Sequence, residues 1–368
     1  MRFAPVCVAI ACSMFISGAS AAGAPRAQTE VGTLQGASYR IDMPARWNHE
    51  LVVYFHGYED RPVLFGKGDA LSPMFDPLLD RGYAVVQSGY SQGGWAVQQA
   101  AADTERLRQY FVAKHGVPAQ SIVMGTSMGG ALTALSIETQ PQIYAGALSL
   151  CGAIAPSDQL MARAFALRAA FDYYFPGLLG ALVPVPPEYR NDGQAVAKIA
   201  AALRANPKAR DALLRWYGAA DKDNLAGVIA FAGDAVRELQ RRAHGNPVGN
   251  VNLVYTGSGD DVALNEGVRR YRADPAAAAW LARWYTPSGK LLRPMLELHD
   301  TGDPLVPASS TFDYALAAQR AGFGRNFVQQ YVEHEGHCVF TPQQVGLAFG
   351  ELVDWIEHGR RPQPGRLP

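Results

Sequence analysis

The chain has 368 residues, with 33 Lys and Arg balanced by 33 Asp and Glu, and a hydrophobic fraction of 48%. That length allows one large domain, or one domain with a sizeable insertion. A formal charge of zero implies no basic surface of the kind that nucleic-acid binding needs, so no nucleic-acid partner is expected.

The first residues read as a secretory signal. Arg2 supplies a positive start, Phe3 to Ile16 a mostly apolar run, and Ala19-Ser20-Ala21 a small-residue cleavage site. The run is too short for a membrane span and no charged stop follows it. Residues 1–21 are therefore expected to be removed, leaving a secreted or periplasmic protein with no stable membrane anchor. Of the four cysteines, Cys7 and Cys12 leave with this segment. Cys151 and Cys338 remain, and an isolated pair in an oxidising compartment is a disulfide candidate; two buried free thiols are the alternative.

Gly32 to Pro44 alternates loosely and predicts one or two strands at a sheet edge. Glu50 to Phe55 predicts a buried strand ending at His56-Gly57-Tyr58. Met74 to Asp80 predicts a short helix, Tyr83 to Gln87 a strand, and Val97 to His115 a helix closed by Gly116 and Pro118. Ser121 to Met124 is an apolar strand that runs into Gly125-Thr126-Ser127-Met128-Gly129 and then into a helix. Ala145 to Leu150 predicts one more strand, ending at Cys151-Gly152. Strands and helices alternating in this way predict a mostly parallel, doubly wound α/β sheet covered on both faces.

The alternation stops at Ala153. Residues 153–290 read as mainly helical, with aromatic residues clustered at Phe171 to Phe175. Strand pattern returns at Pro294 to His299, a helix follows from Ser309 to Ala321, and Phe327 to Val332 is the last strand. The final helix carries its own start and stop: Thr341 as N-cap, Pro342 at the first position, Gln344 at the third and Gly359 beyond the end. Residues 360–368 are polar and Pro-containing, and are expected to be disordered.

A serine on a strand-to-helix turn flanked by glycines is pushed out of the sheet, with the helix N-terminus behind it. Its hydroxyl is a weak nucleophile, and needs a base that is itself oriented by an acid. In parallel sheets such groups gather at the C-terminal strand ends. That leaves Asp303, with Asp300 as its rival, after the strand that begins at Pro294. It leaves His337, with His334 as its rival, after the last strand.

The order Ser127, Asp303, His337 resembles the α/β-hydrolase superfamily over nearly all of the chain beyond residue 21. Gly302 to Pro307 resembles its acid loop, Gly336-His337 its histidine loop, and His56-Gly57 its oxyanion loop. The resemblance implies residues 30–152 and 291–359 as the hydrolase core and 153–290 as a cap. It implies Ser127 as nucleophile, His337 as base and Asp303 as acid. The oxyanion donors would be the backbone N–H groups of Met128 and Tyr58, with Gly57 in reserve for the second, and His56 would shape the loop. The Gly57-Tyr58 and His337-Cys338 pairs are similar to those of secreted esterases such as feruloyl esterases, tannases and polyester depolymerases, and to the oligopeptidase-like catalytic domain. This implies a small-molecule or polymeric ester substrate, with amide cleavage or a catalytically silent binding fold as the alternatives. Trp95 and Tyr90, in the loop after the Tyr83 strand, are candidate substrate-binding residues. The Phe171 group reads as core of the insertion more than as a site wall.

Two patterns fail as cofactor or metal sites. Gly257-Ser258-Gly259 lacks a third glycine and a surrounding βαβ unit, and His334 and His337 lack the i, i+4 spacing of a zinc helix. No cofactor and no metal are expected.

Overall fold

The computed structural model describes residues 26–218, 221–284 and 286–367. The expected signal segment, residues 1–21, lies outside them. Among the described residues no helix is long and apolar enough to cross a membrane.

The strands are β1 (Arg26–Leu34), β2 (Ala37–Pro44), β3 (Glu50–Phe55), β4 (Ala84–Ser88), β5 (Gln120–Thr126), β6 (Gly146–Leu150), β7 (Met295–Gly302), β8 (Phe327–Glu335) and β9 (Gly365–Arg366). They form one sheet in the order β1-β2-β4-β3-β5-β6-β7-β8-β9. The first two pairings are antiparallel. From β4 across to β9 every pairing is parallel.

The central strands are apolar on both sides because both sides are covered. Val53, Val123, Ala147 and Met295 face one core, which also holds residues of α2 (Val97–His115), α3 (Met128–Thr139) and α10 (Thr311–Arg320). Val52, Ile122, Met124, Leu148 and Leu296 face the other, under α1 (Asp76–Asp80) and α11 (Pro342–His358). The capping box expected for α11 is present: Thr341 accepts from the Gln344 N–H and Gln344 accepts from the Thr341 N–H. Gly359 closes the helix in a left-handed conformation.

Between β6 and β7 run α4 (Ser157–Tyr174), α5 (Gly193–Ala205), α6 (Pro207–Tyr217), α7 (Leu225–Ala243), α8 (Asp261–Gly267) and α9 (Pro275–Trp284). Helices α4 and α7 pack on each other and share the first core with the sheet. Phe171 is fully buried there and stacks on Phe175 at 4.8 Å, as core.

The end of the chain differs from expectation. Residues 360–368 read as a disordered tail, yet Gly365 and Arg366 pair with Gln330 and Tyr331 of β8. Leu367 is buried in the second core, and Arg361 donates to the carbonyl oxygens of Arg325 and Phe327. One apolar side chain and an unpaired sheet edge are enough to hold a polar segment in place.

Candidate active site

Ser127 sits between β5 and α3 with φ 56° and ψ −119°, a strained backbone for a residue with a Cβ. The strain is held from both sides. The Ser127 N–H donates to Leu150 O at 3.0 Å, and Ser127 O accepts from the N–H groups of Gly130 and Ala153, each at 2.9 Å. The flanking glycines are obligatory: a Cβ on Gly125 would lie 2.2 Å from Gly129 O, and one on Gly129 2.0 Å from Phe55 O.

Asp303 follows β7 and His337 follows β8, so both arrive at the same end of the sheet as Ser127. His337 Nε2 lies 2.8 Å from Ser127 Oγ, and His337 Nδ1 lies 2.6 Å from Asp303 Oδ2. Asp303 is almost fully buried, and its other oxygen accepts from the N–H groups of Leu305 at 2.8 Å and Val306 at 2.9 Å. Burial works to raise its pKa, but hydrogen bonds from His299 and His337 outweigh it and hold the carboxyl at about 2. The structure thus brings Ser127, His337 and Asp303 into one chain of hydrogen bonds.

The rivals lie elsewhere. Asp300 belongs to β7 itself, and strand alternation sets it with Leu296 and Leu298 on the face away from His299. Its Oδ2 accepts from the Val339 N–H at 3.2 Å, which anchors the loop behind His337. Burial pushes its pKa up to about 6. His334 Nε2 is 3.4 Å from Gln344 Nε2 at the start of α11.

Beneath Asp303 lies a feature that sequence reasoning missed. Glu297 and His299 of β7 are both fully buried on the face shared with Met295. His299 Nδ1 lies 2.8 Å from Glu297 Oε1, and its Nε2 lies 2.7 Å from Val306 O and 3.5 Å from Asp303 Oδ2. Burial tends to lower the pKa of His299, but the carboxylates of Asp303 and Glu297 lift it to about 10. Both ring nitrogens face oxygen acceptors, an arrangement that favours the protonated ring below Asp303. The signal for it was a Glu and a His two residues apart on one face of an otherwise apolar strand.

On the opposite side of Ser127 stands the His56-Gly57-Tyr58 loop after β3. A Cβ on Gly57 would lie 3.2 Å from Ser127 Cβ, so only glycine leaves this approach uncrowded. Met128 occupies the first position of α3, where backbone N–H groups lack helical acceptors. Tyr58 donates its hydroxyl to Asp234 of α7 at 2.8 Å, which ties the loop to the insertion. His56 is held through a contact of 2.7 Å from Nδ1 to Gly57 O, and burial pushes its pKa down to about 4.

Tyr90 is a correction. It was expected to touch substrate, but it is buried, stacks on His56 at 3.8 Å and donates its hydroxyl to His56 O at 3.1 Å. Tyr90, with a positive φ of 54°, is not among the residues that line either space beside Ser127. Trp95, its partner in expectation, does line the space beside Ser127.

Cys151 and Cys338 are joined as a disulfide, with their Cα atoms 5.3 Å apart. The bond ties the end of β6 to the residue after His337.

Two spaces meet at Ser127 and His337. One is a narrow, more enclosed cavity of about 50 Å³, walled by Trp95, Leu160, Met161, Phe231, Leu239 and other apolar side chains. The other is an open groove of about 800 Å³, bordered by Gly57 to Val63, Asn191 and Cys338. Gly257 and Ser258, one of the failed motifs, form a turn whose N–H groups donate to Asp261 at 2.9 and 2.8 Å.

A sheet in this order, with a serine turn after β5, Asp303 after β7 and His337 after β8, matches one known fold in strand direction and in the chain order of the three residues. The fold is that of the α/β-hydrolases. No family model and no curated protein sequence matches the chain. Among solved structures, a Bacteroides ovatus protein assigned as a dipeptidyl aminopeptidase IV is 13% identical at a TM-score of 0.49, over 90% of this chain and 36% of that one. The chain thus spans about a third of that protein's length. Est1E from Butyrivibrio proteoclasticus is 12% identical at a TM-score of 0.45, over 88% of this chain and 98% of its own. Lipase A from Candida antarctica, in its closed state, is 15% identical at 0.46, over 90% of this chain and 77% of its own. With every one of these scores below 0.5, the fold is read from the strand order and the site from its own geometry.

Proposed function

We propose that the chain is a secreted serine hydrolase that cleaves carboxylic esters through an acyl-enzyme on Ser127. The observation that carries this reading is the continuous hydrogen-bond chain from Ser127 Oγ through His337 to the buried Asp303 carboxylate. As Oγ attacks the ester carbonyl, His337 Nε2 takes its proton, and Asp303 holds the ring in the required tautomer and stabilises the imidazolium. The N–H groups of Met128 and Tyr58 receive the oxyanion, an effect worth roughly 3–4 kcal/mol per donor. His337 then returns the proton to the leaving oxygen. Water enters by the same route and repeats the cycle on the acyl-enzyme.

Secretion is supported by the leading segment of the sequence and by the disulfide, which suits an oxidising compartment. The insertion acts as a cap: α4, α6 and α7 contribute walls of the enclosed cavity, where an acyl group is shielded from water.

The test is labelling with a fluorophosphonate, followed by peptide mapping, beside turnover of 4-nitrophenyl esters, feruloyl esters and aminoacyl nitroanilides. Labelling at Ser127 and ester turnover are expected, both lost in Ser127→Ala, with kcat lower by about 10⁶. Labelling at another serine overturns the reading, and preferred cleavage of the anilides turns it to the amidase alternative.

A further inference from the structure

One wall residue of the enclosed cavity does not belong with the rest. Arg163 of α4 lines it beside Trp95, Leu160 and Phe231. Its guanidinium lies over the Tyr217 ring, 4.2 Å from the centroid, and its Nη2 donates to the Tyr217 carbonyl oxygen. Its Nε is buried with no hydrogen-bond partner. Among the described residues no carboxylate pairs with it, whereas Arg168, five residues on in the same helix, is paired with Asp172 at 2.9 Å.

A guanidinium in an apolar wall cannot escape its desolvation by losing a proton. The Tyr217 ring and carbonyl oxygen offset part of that cost, the buried Nε is left without an acceptor, and the fork of N–H groups matches a carboxylate. The surroundings already hold the cation in one pose. The Tyr217 hydroxyl donates to Pro304 O at 2.9 Å, so the ring under Arg163 is fixed to the loop that carries Asp303. With no carboxylate of the described residues beside it, the place beside this guanidinium in the cavity wall suits an anionic group of the substrate, in the part of it that enters this cavity. That part is the acyl group. The leaving group must depart and water must enter while the acyl group stays bound, and the open groove serves both movements.

Building on the ester-hydrolase reading, we propose that Arg163 is a specificity-determining residue that binds a carboxylate borne by the acyl group. The preferred substrates are then half-esters of dicarboxylic acids, whose apolar spacer fills the cavity between the scissile ester and Arg163.

The experiment compares mono-4-nitrophenyl esters of adipic, suberic and sebacic acid with 4-nitrophenyl hexanoate, octanoate and decanoate. The wild-type protein and Arg163→Met are assayed at fixed ionic strength. The wild type should favour the charged member of at least one length-matched pair in kcat/KM. Arg163→Met, close in volume but neutral, should lower that charged-to-neutral ratio by about 10- to 100-fold, as loss of a charge-assisted hydrogen bond predicts. A wild-type preference for the neutral ester at every length overturns the proposal, whatever the variant does, and so does a ratio unchanged in the variant.

Calorimetry on Ser127→Ala with suberate and with octanoate separates this from the hydrolase reading. Tighter binding of suberate, lost on adding Arg163→Met, supports the site even if no ester is turned over. Equal binding of the two acids overturns it even if esters are cleaved.

Discussion

Replacing His299 by Leu should destabilise the protein more than replacing Glu297 and His299 together by Leu. In the wild type His299 sits between two carboxylates, Glu297 at 2.8 Å and Asp303 at 3.5 Å, with Asp300 on the other face of the strand. Against burial, the two carboxylates lift its pKa from 6.5 to about 10, so the folded state favours the protonated ring. Removal of one member of a buried ionic group costs about 3–5 kcal/mol by general experience. Glu297 would be left with the Gly152 N–H, at 2.8 Å, as its donor. Removing both leaves Asp303 with His337 and the N–H groups of Leu305 and Val306 and strands no charge on β7, and such double replacements are about neutral.

The pH dependence has a definite sign. A histidine raised in the folded state adds its full stability below pH 6.5, and that stability is lost as pH rises toward about 10. Burial raises the pKa of Glu297, so the deficit of the single variant should shrink in acid, where this carboxyl takes up a proton. Urea unfolding of the wild type, both single variants and the double variant at pH 5.5, 7 and 9.5 measures each term. Equal loss in His299→Leu and the double variant would refute the reasoning, and so would a wild-type stability that does not fall between pH 7 and 9.5.

Asp303→Asn should lower kcat by about 10⁴, because the neutral amide no longer fixes the tautomer of His337, while Asp300→Asn should keep most activity. Steady-state kinetics on one ester decides, and a dead Asp300 variant would reverse the assignment. Tyr58→Phe removes the bond to Asp234 while leaving Asp234 paired with Arg237 at 2.8 Å. It should lower kcat by about tenfold with little change in the urea midpoint, the mark of a loosened oxyanion loop. Reducing the Cys151–Cys338 bond, which closes a loop across 187 residues, should cost about 5 kcal/mol of stability on the chain-entropy model. Activity should fall at lower urea than ellipticity does, because the released loop is the one that carries His337.

The parts that were legible in the sequence are those whose reasons are local. The helix α11 carried its cap at Thr341 and its stop at Gly359, and both ends fall where those residues put them. The turn at Ser127 was legible because glycine on either side is a steric demand of the turn itself. Boundaries set by pairing were harder. β7 runs on to Gly302 and β8 to Glu335, beyond the last apolar residue of each, because the two strands keep bonding to each other past the core. Tyr90 could not be placed from sequence, since an aromatic residue in a loop at the catalytic end reads the same whether it faces the opening or the loop's underside. Arg163 and Tyr217 were hidden for a related reason. Each lies on a helix of the insertion, and only the packing of α4 against α6 and the acid loop brings them to Ser127.

The insertion reaches the candidate site by three separate routes. Through Tyr217 it reaches Pro304 and so bears on the loop of the acid. Through Asp234 it holds the Tyr58 hydroxyl and so bears on the oxyanion loop, whose backbone would carry the developing charge. Through Arg163, Leu160 and Phe231 it forms the wall that an acyl group would meet. A lid that only covered the serine would need none of the first two contacts. Because both are hydrogen bonds to buried or half-buried groups, shifting the insertion breaks them at a cost of about 1–3 kcal/mol each. Displacing this region should therefore loosen the loops of Asp303 and Tyr58, and a variant lacking both bonds should lose activity before it loses the fold.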